Sequence, residues 1–313
     1  MSVLPQFKLC CISSRFPFRQ YFPNDLSLLV DAADPYLDTP TLVGAVPGKV
    51  SVAGVAVLAE DLFVVRDLSS YVDVYGAATF SPRRRFNIEG LRRPTDLTAC
   101  TVNTVLYVSD GAGGSVYAVE PKGKIHQRWQ MAGEPHGLYA APMTGNVFVT
   151  CFDGRTLREY TSEGQLLRTI RFQLDITNPG HTIPLAPADG ASGGGERFLV
   201  CHGWDSGKLH RVCHVTAAGK VVANFGGANG SGPGRLDTPQ RLIVDALGYI
   251  FVLDRNNDRI QLLSPNLVHV RDIITRVQNG TKQPRRMWFD AVTGYMYVGL
   301  LDGRVMVFRI ADP

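Results

Sequence analysis

A short aromatic strand recurs six times along the chain, and this repeat limits the folds that the chain can adopt. The segments are LFVV, LYVS, VFVT, RFLV, IFVL and MYVG. Their aromatic residues are Phe63, Tyr107, Phe148, Phe198, Phe251 and Tyr297, at intervals of 41 to 53 residues. Self-similarity at a period of about 20 to 50 residues is typical of repeat architectures. The pattern therefore predicts six copies of one unit.

The unit that begins at Pro239 shows the order of its strands most clearly. It reads PQRLIVDALGYIFVLDRNNDRIQLLSP and continues into VHVRDII. Short polar turns separate four apolar runs, which predicts a four-stranded antiparallel meander. Prolines precede the first strand of other units as well, at Pro94, Pro135, Pro179 and Pro284. The turns PKGK, SEGQ and AAGK precede fourth strands, where glycine supplies the positive φ of a tight hairpin.

Six such sheets predict an all-β fold, a six-bladed β-propeller of four-stranded antiparallel blades. A single twisted sheet cannot bury both faces, whereas radial packing around an axis buries both. Each anchor aromatic is then a core residue, and its truncation to Ala would cost about 3–5 kcal/mol. The last unit lacks a fourth strand, and TLVGAV, at about residues 41–46, is expected to complete it and close the ring. We expect the propeller to span residues 39–311, after an N-terminal arm of unknown role at residues 1–38.

The unit at Pro239 resembles an NHL repeat. It matches the pattern P-x-x-[hydrophobic]-x-V-D-x-x-G-x-[hydrophobic]-x-V-x-D-x-x-N-x-R-[hydrophobic] at Pro239, Asp245, Gly248, Asp254, Asn257 and Arg259. The other units are degenerate: Asp110 keeps the second aspartate, whereas Cys151, Cys201 and Leu300 replace it. The resemblance covers about residues 40 to 310 and implies a six-bladed propeller like the C-terminal domain of tripartite-motif proteins.

The resemblance also implies structural roles for three residues of this repeat. Asp254 is expected to accept backbone N–H groups of its turn, and Asn257 suits the left-handed conformation. Arg259 is expected to pair with the acidic side of the same turn.

Ubiquitin ligation would need a RING domain, and the six cysteines include no C-x-x-C pair for a zinc array.

One face of the ring is expected to carry most of the basic groups. Strands alternate in direction, so the loops that follow second and fourth strands share a face. The predicted binding face comprises Arg66, Arg92, Arg93, His136, His181, His202, Trp204, Arg241, Arg255, Arg285 and Arg286.

This face predicts a non-catalytic binding platform, either a scaffold or a substrate-recognition module. Guanidinium groups bind carboxylates and phosphates well, so we expect an acidic protein segment or single-stranded RNA as partner. Arg285 and Arg286 are the residues most expected to carry binding. Trp204 is the main candidate for base stacking, with Tyr71 weaker. Alternatively, Arg92, Arg93, Arg285 and Arg286 are solvated or join blades through acids.

A second resemblance leaves an enzyme as the alternative. The segments RPTDL, YVSDG and EPHGL resemble those of peptidyl-hydroxyglycine amidating lyases, which implies a metal-dependent propeller enzyme of the amidating-lyase or lactonase type. His136 and His181 follow successive prolines and could approach the central channel, with His202 as a third candidate. Catalytic zinc usually takes three protein ligands, and Arg241 occupies the corresponding place in the next blade. We predict no catalytic residues, no metal and no cofactor.

The remaining composition predicts a cytoplasmic protein. No run of 18 or more apolar residues is present, so no membrane span is expected. The first residues, MSVLPQFKLCCISSRFPFRQ, have no clean apolar core of a signal peptide, because Lys8, Arg15 and Pro17 interrupt them.

Overall fold

The computed structural model describes residues 34–185, 195–204 and 208–312, which form six four-stranded antiparallel sheets. The first strand of each sheet contacts the first strand of the next, and the sixth sheet returns to the first, so the sheets close a ring. The predicted six-bladed β-propeller is confirmed. No helix among the described residues is long and apolar enough to cross a membrane.

The blades are numbered in chain order. Blades 1 and 2 contain β2 (Val52–Leu58), β3 (Asp61–Arg66), β4 (Tyr71–Gly76), β5 (Pro82–Asn87), β6 (Pro94–Cys100), β7 (Val105–Asp110), β8 (Ser115–Val119) and β9 (Ile125–Gln130). Blades 3 and 4 contain β10 (Pro135–Ala140), β11 (Val147–Cys151), β12 (Thr156–Tyr160), β13 (Leu166–Arg171), β14 (Pro179–Leu185), β15 (Arg197–His202), β16 (Leu209–Thr216) and β17 (Val221–Ala228). Blades 5 and 6 contain β18 (Pro239–Val244), β19 (Ile250–Asp254), β20 (Arg259–Leu263), β21 (His269–Thr275), β22 (Pro284–Asp290), β23 (Tyr295–Leu300), β24 (Val305–Arg309) and β1 (Thr41–Val46). A short helix, α1 (Arg276–Asn279), follows β21.

The six anchor aromatics lie in second strands and are 0% to 4% exposed. Their assignment to the core is therefore confirmed. First strands begin at the predicted prolines in blades 2 to 6, whereas blade 1 begins at Val52.

The predicted ring closure is also confirmed. β1 pairs antiparallel with β24, with Thr41 opposite Arg309 and Val46 opposite Val305. The sixth blade is thereby assembled from both ends of the described chain, and the outer edge of β24 is covered.

Residues 34–37 continue this closure along the ring. The Tyr36 ring is buried edge-on against Phe251 and Phe289, and its hydroxyl donates a hydrogen bond to Asp245. The Leu37 N–H donates to the carbonyl oxygen of Ile310 at 2.8 Å. Tyr36 and Leu37 therefore pack on blades 5 and 6. Residues 1–33 of the expected arm lie outside the described residues, as does the centre of the Gly-rich insertion before Phe198.

The turn after β19 is held by one carboxylate. Asp254 accepts hydrogen bonds from the Asp237 backbone N–H at 2.7 Å and from the side chains of Asn257 and Arg259, both at 2.8 Å. The left-handed residue of this turn is Asp258 (φ 54°), so the expected conformation of Asn257 is wrong. Asn257 instead closes a 3-10 turn, because its amide is needed beside Asp254 and the carbonyl oxygen of Gly230.

Each first strand carries a β-bulge at its second residue. In blade 2, Pro94 pairs with Asp110 and Asp96 pairs with Ser109, which leaves Thr95 as the extra residue. The same register shift occurs in the other five blades. A bulge re-aims the side chains beside it. We call the residues after the bulge the inner positions: Gly54, Asp96, Gly137, His181, Arg241 and Arg286.

Candidate binding site at the channel mouth

An ion pair between two inner positions crosses the centre of the ring. Arg241 of blade 5 donates a hydrogen bond from Nη1 to Oδ2 of Asp96 in blade 2. Blades 2 and 5 are opposite each other in a ring of six, so the pair spans the channel. Both side chains are almost fully buried, at 6% and 1% exposure. Asp96 Oδ2 also accepts the backbone N–H of Leu138 at 2.7 Å, which ties blade 3 to the same carboxylate.

Arg286 adds a second guanidinium beside this carboxylate. Its Nε lies 3.6 Å from Asp96 Oδ1 and donates to the carbonyl oxygen of Ala53 at 2.7 Å, while Nη2 donates to the carbonyl oxygen of Thr95. Burial lowers the pKa of Arg286 to about 9, and neighbouring arginines oppose its charge while Asp96 favours it. Inside the channel, two guanidinium groups therefore face one carboxylate.

The two histidines of the enzyme alternative make hydrogen bonds to backbone carbonyls of neighbouring blades. His136 Nδ1 lies 3.0 Å from the carbonyl oxygen of Gly180, and His181 Nε2 lies 2.9 Å from that of Leu138. Burial, reinforced by nearby arginines, lowers the pKa of His136 to about 3 and that of His181 well below its usual range. Both rings are therefore neutral at neutral pH.

His202 lies in a separate environment within blade 4. Its Nε2 accepts a hydrogen bond from Arg211 Nε at 3.2 Å, and burial lowers its pKa to about 3. Across residues 34–185, 195–204 and 208–312, no group of three or more His, Cys, Asp or Glu side chains is arranged to hold a metal ion. The arginines beside His136 and His181 would also repel a cation.

Aromatic rings lie together on the face of the ring where second strands end. Phe152 lies 5.2 Å from His136 and 5.7 Å from Trp204, centroid to centroid, and His136 lies 6.2 Å from Trp204. The Arg255 guanidinium covers Trp204, with Cζ 5.0 Å from the ring centroid. Among the described residues, no carboxylate pairs with Arg255. The channel mouth is defined as His136, Phe152, Trp204 and Arg255 together with Arg241, Arg285 and Arg286.

Arg285 connects the mouth to blade 1. Its Nη1 donates to Ser51 Oγ at 2.5 Å and lies 3.2 Å from Asp67 Oδ2. Of the predicted face residues, the structure thus brings together His136, His181, Trp204, Arg241, Arg255, Arg285 and Arg286.

The other predicted arginines are engaged separately. Arg66 pairs with Asp73 at 3.0 Å, and Arg93 pairs with Glu134 at 2.6 Å. The Arg92 side chain is exposed, and its backbone N–H donates to Asp110. Arg66 and Asp73 both lie in blade 1, whereas Arg93 and Glu134 link blades 2 and 3. The alternative that arginines join blades through acids therefore describes part of the face. Tyr71, the weaker stacking candidate, is covered by Arg85 at 5.6 Å.

Sequence reasoning did not single out Phe152 or the acceptors Ser51 and Asp67. Phe152 follows the second strand of blade 3, and Trp204 follows the second strand of blade 4. This shared position was the signal in the sequence that could have identified Phe152. Ser51 and Asp67 flank the strands of blade 1, which lack the proline that marks the other units.

Comparison with known proteins is consistent with an NHL-repeat propeller. No family model matches the chain. Human E3 ubiquitin-protein ligase TRIM56 is 23% identical over 249 residues, which cover 74% of this chain and 29% of that protein. Mouse NHL repeat-containing protein 3 is 23% identical over 180 residues, covering 52% of this chain and 49% of that protein. The human form is 26% identical over 143 residues, or 41% and 38% of the two chains. The matches thus cover half or less of the length of each relative. They confirm the predicted resemblance to NHL-repeat propellers.

Solved structures share the fold. Virginiamycin B lyase from Staphylococcus aureus superposes with a TM-score of 0.61 at 9% identity, over 87% of this chain and 99% of that one. Hydrazine synthase from Kuenenia stuttgartiensis gives a TM-score of 0.58 at 15% identity, over 82% and 75%. At these identities the likeness concerns the ring architecture alone.

Proposed function

We propose that this protein is a non-catalytic binding platform that recognises an acidic protein segment at the channel mouth. The similarity to NHL repeat-containing protein 3 supports an interaction role in general, since loops on a rigid scaffold commonly carry binding sites. The role we propose is recognition, as a scaffold or as the part of a larger assembly that selects a substrate. A cytoplasmic location is part of this proposal, because the buried cysteines of the described ring are free thiols, as suits a reducing compartment.

The observation that carries the proposal is the state of Arg255. Its guanidinium lies on the half-buried Trp204 ring and has no acid partner among the described residues. Burial, and then the charge of Arg285, lowers its pKa. A partly desolvated cation held beside other cations would gain from an incoming carboxylate, since charge-assisted hydrogen bonds are the strong ones.

A protein segment fits this site better than RNA does. Sequence-tolerant binding of single strands uses open aromatic faces on which successive bases stack. One face of Trp204 is covered by Arg255, and Tyr71 is covered by Arg85. Carboxylates need only the guanidinium groups, which remain available at Arg255.

Fluorescence anisotropy with labelled probes tests the proposal. A Glu-rich peptide and a single-stranded RNA of equal length are titrated with the protein at two salt concentrations. Arg255→Ala should weaken peptide binding by about tenfold or more, because a charged hydrogen bond contributes about 1.5–3 kcal/mol. Arg171→Ala, which removes an exposed arginine of β13 in blade 3, is the matched control and should leave affinity unchanged.

The outcomes separate the candidates. Absence of peptide binding, or equal affinity in the Arg255 and Arg171 variants, would overturn the proposal. Tighter RNA binding, with a log-affinity slope of about −0.7 per phosphate contact against log salt, would assign the face to nucleic acid instead. Arg286→Ala is a poor probe, because Arg286 is buried and its loss would leave the carbonyl oxygens of Ala53 and Thr95 without this hydrogen-bond donor.

A further inference from the structure

The channel mouth carries more positive charge than its acids balance. The four guanidinium groups are those of Arg241, Arg255, Arg285 and Arg286. Two carboxylates pair with them, Asp96 with Arg241 and Arg286, and Asp67 with Arg285. Four positive and two negative charges leave an excess of two positive charges. Guanidinium groups stay charged at neutral pH, so a balancing negative charge is available only from outside this set.

Three of these arginines also have an unused donor. The Nε–H groups of Arg241, Arg255 and Arg285 are buried and find no acceptor within the described parts of the chain. Arg93 and Arg309 show the same feature but are not among these four residues. A buried donor without an acceptor is costly, and an ion or water at such a group is the usual explanation. The charge excess favours an anion over water.

The charges of these arginines act on one another. Beyond the effect of burial, Arg285 lowers the pKa of Arg255, and Arg285, Arg241 and Arg255 each lower the pKa of Arg286. They therefore lie within mutual electrostatic reach. An anion among them would relieve this repulsion, whereas the neutral rings of His136 and His181 cannot.

We propose that the channel mouth is an oxyanion site, in which the Nε–H groups of Arg241, Arg255 and Arg285 donate to the oxygens of one carboxylate or phosphate group. Planar guanidinium forks match such groups in shape. The inference deepens the proposed function and rests on it for one source of the group, an acidic side chain of a docked segment. Free inorganic phosphate is the other source of the same chemistry.

Thermal unfolding of the full chain in increasing inorganic phosphate, against sodium chloride of equal ionic strength, tests the site. A ligand of the folded state at a hundredfold excess over its Kd raises the folded-to-unfolded ratio about a hundredfold. We expect a saturable rise in Tm in phosphate that chloride does not reproduce. N-acetylglutamate amide, a free carboxylate, should compete with phosphate for the site.

A charge-retaining variant separates the site from a general salt effect. Arg255→Lys with Arg285→Lys keeps both charges but removes two of the three Nε–H donors, and should weaken phosphate binding by about tenfold or more. Arg171→Lys is the control and should behave as the wild type. A phosphate response equal to that of chloride, or one that survives in the double variant, would overturn the oxyanion site.

The two proposals fail in different ways. Saturable phosphate stabilisation without peptide binding would leave the oxyanion site standing and remove the acidic segment. Peptide binding that neither phosphate nor the free carboxylate affects would refute the oxyanion site and leave the platform.

Discussion

Asp96→Asn removes the negative charge that faces Arg241 and Arg286 inside the channel. Removing one partner of a buried ion pair costs about 3–5 kcal/mol, because it leaves the other charge buried and uncompensated. Here two guanidinium groups would remain, at 6% and 4% side-chain exposure. Asn keeps one acceptor oxygen for the Leu138 N–H, so most of the loss is electrostatic. We expect the free energy of unfolding to fall by about 3 kcal/mol or more.

Urea unfolding measures this loss, with an exposed pair as the reference. Asp302 and Arg304 lie 2.8 Å apart with side chains 47% and 44% exposed, so Asp302→Asn should cost less than about 1 kcal/mol. Arg241→Met combined with Asp96→Asn should cost less than the sum of the single variants, with a coupling of about 0.5–3 kcal/mol. A loss for Asp96→Asn no larger than that for Asp302→Asn would refute the description of the channel.

Three further predictions concern the rest of the ring. Because burial holds the pKa of His181 well below 6.5, its contribution to stability is present above pH 6.5 and is lost as the pH falls toward the folded value. With His181→Gln, the free energy of unfolding should therefore fall less steeply as the pH decreases, by about 1.4 kcal/mol per pH unit. Urea unfolding at pH 7, 6 and 5 measures this slope, and an unchanged slope would contradict the prediction. Tyr36→Ala should cost about 3–5 kcal/mol in the same assay and Tyr36→Phe about 1–2, and equal losses would exclude packing as the main contribution. Asp254→Ala removes the acceptor of three donors and should lower Tm more than Asn257→Ala, which removes a single donor group; the reverse order would argue against the carboxylate as the centre of the turn.

The ring was predictable from the repeat because each unit carries the sequence signals for its own strands within a short segment. A proline, an aromatic strand and a glycine turn are short-range signals, and the aromatic strand recurs from Phe63 to Tyr297 at intervals of 41 to 53 residues. The closure by residues 41–46 followed from counting strands. The assignment of Asn257 to the left-handed position was wrong, because its amide is engaged beside Asp254 while the next residue makes the turn.

The channel was less predictable because its contacts join distant parts of the chain. Asp96 and Arg241 are 145 residues apart, and no local pattern marks them as partners. The bulges also shift the register by one residue at each first strand, so proline spacing alone does not say which side chain reaches the centre. Arg285 and Arg286 are adjacent in sequence, yet one reaches Ser51 and Asp67 while the other lies inside the channel.

The pairing of β1 with β24 has a mechanical consequence. Thr41, at the start of β1, lies opposite Arg309, at the end of β24. A load applied to the segments before β1 and after β24 would therefore pull on adjacent ends of one antiparallel pair. Its backbone hydrogen bonds would open one after another, from Thr41 towards Val46, rather than shear together. Before that, the load must separate Asp34 from Arg271 and extract Tyr36 from its contacts with Phe251 and Phe289, so residues 34–36 set the first resistance of the ring to tension.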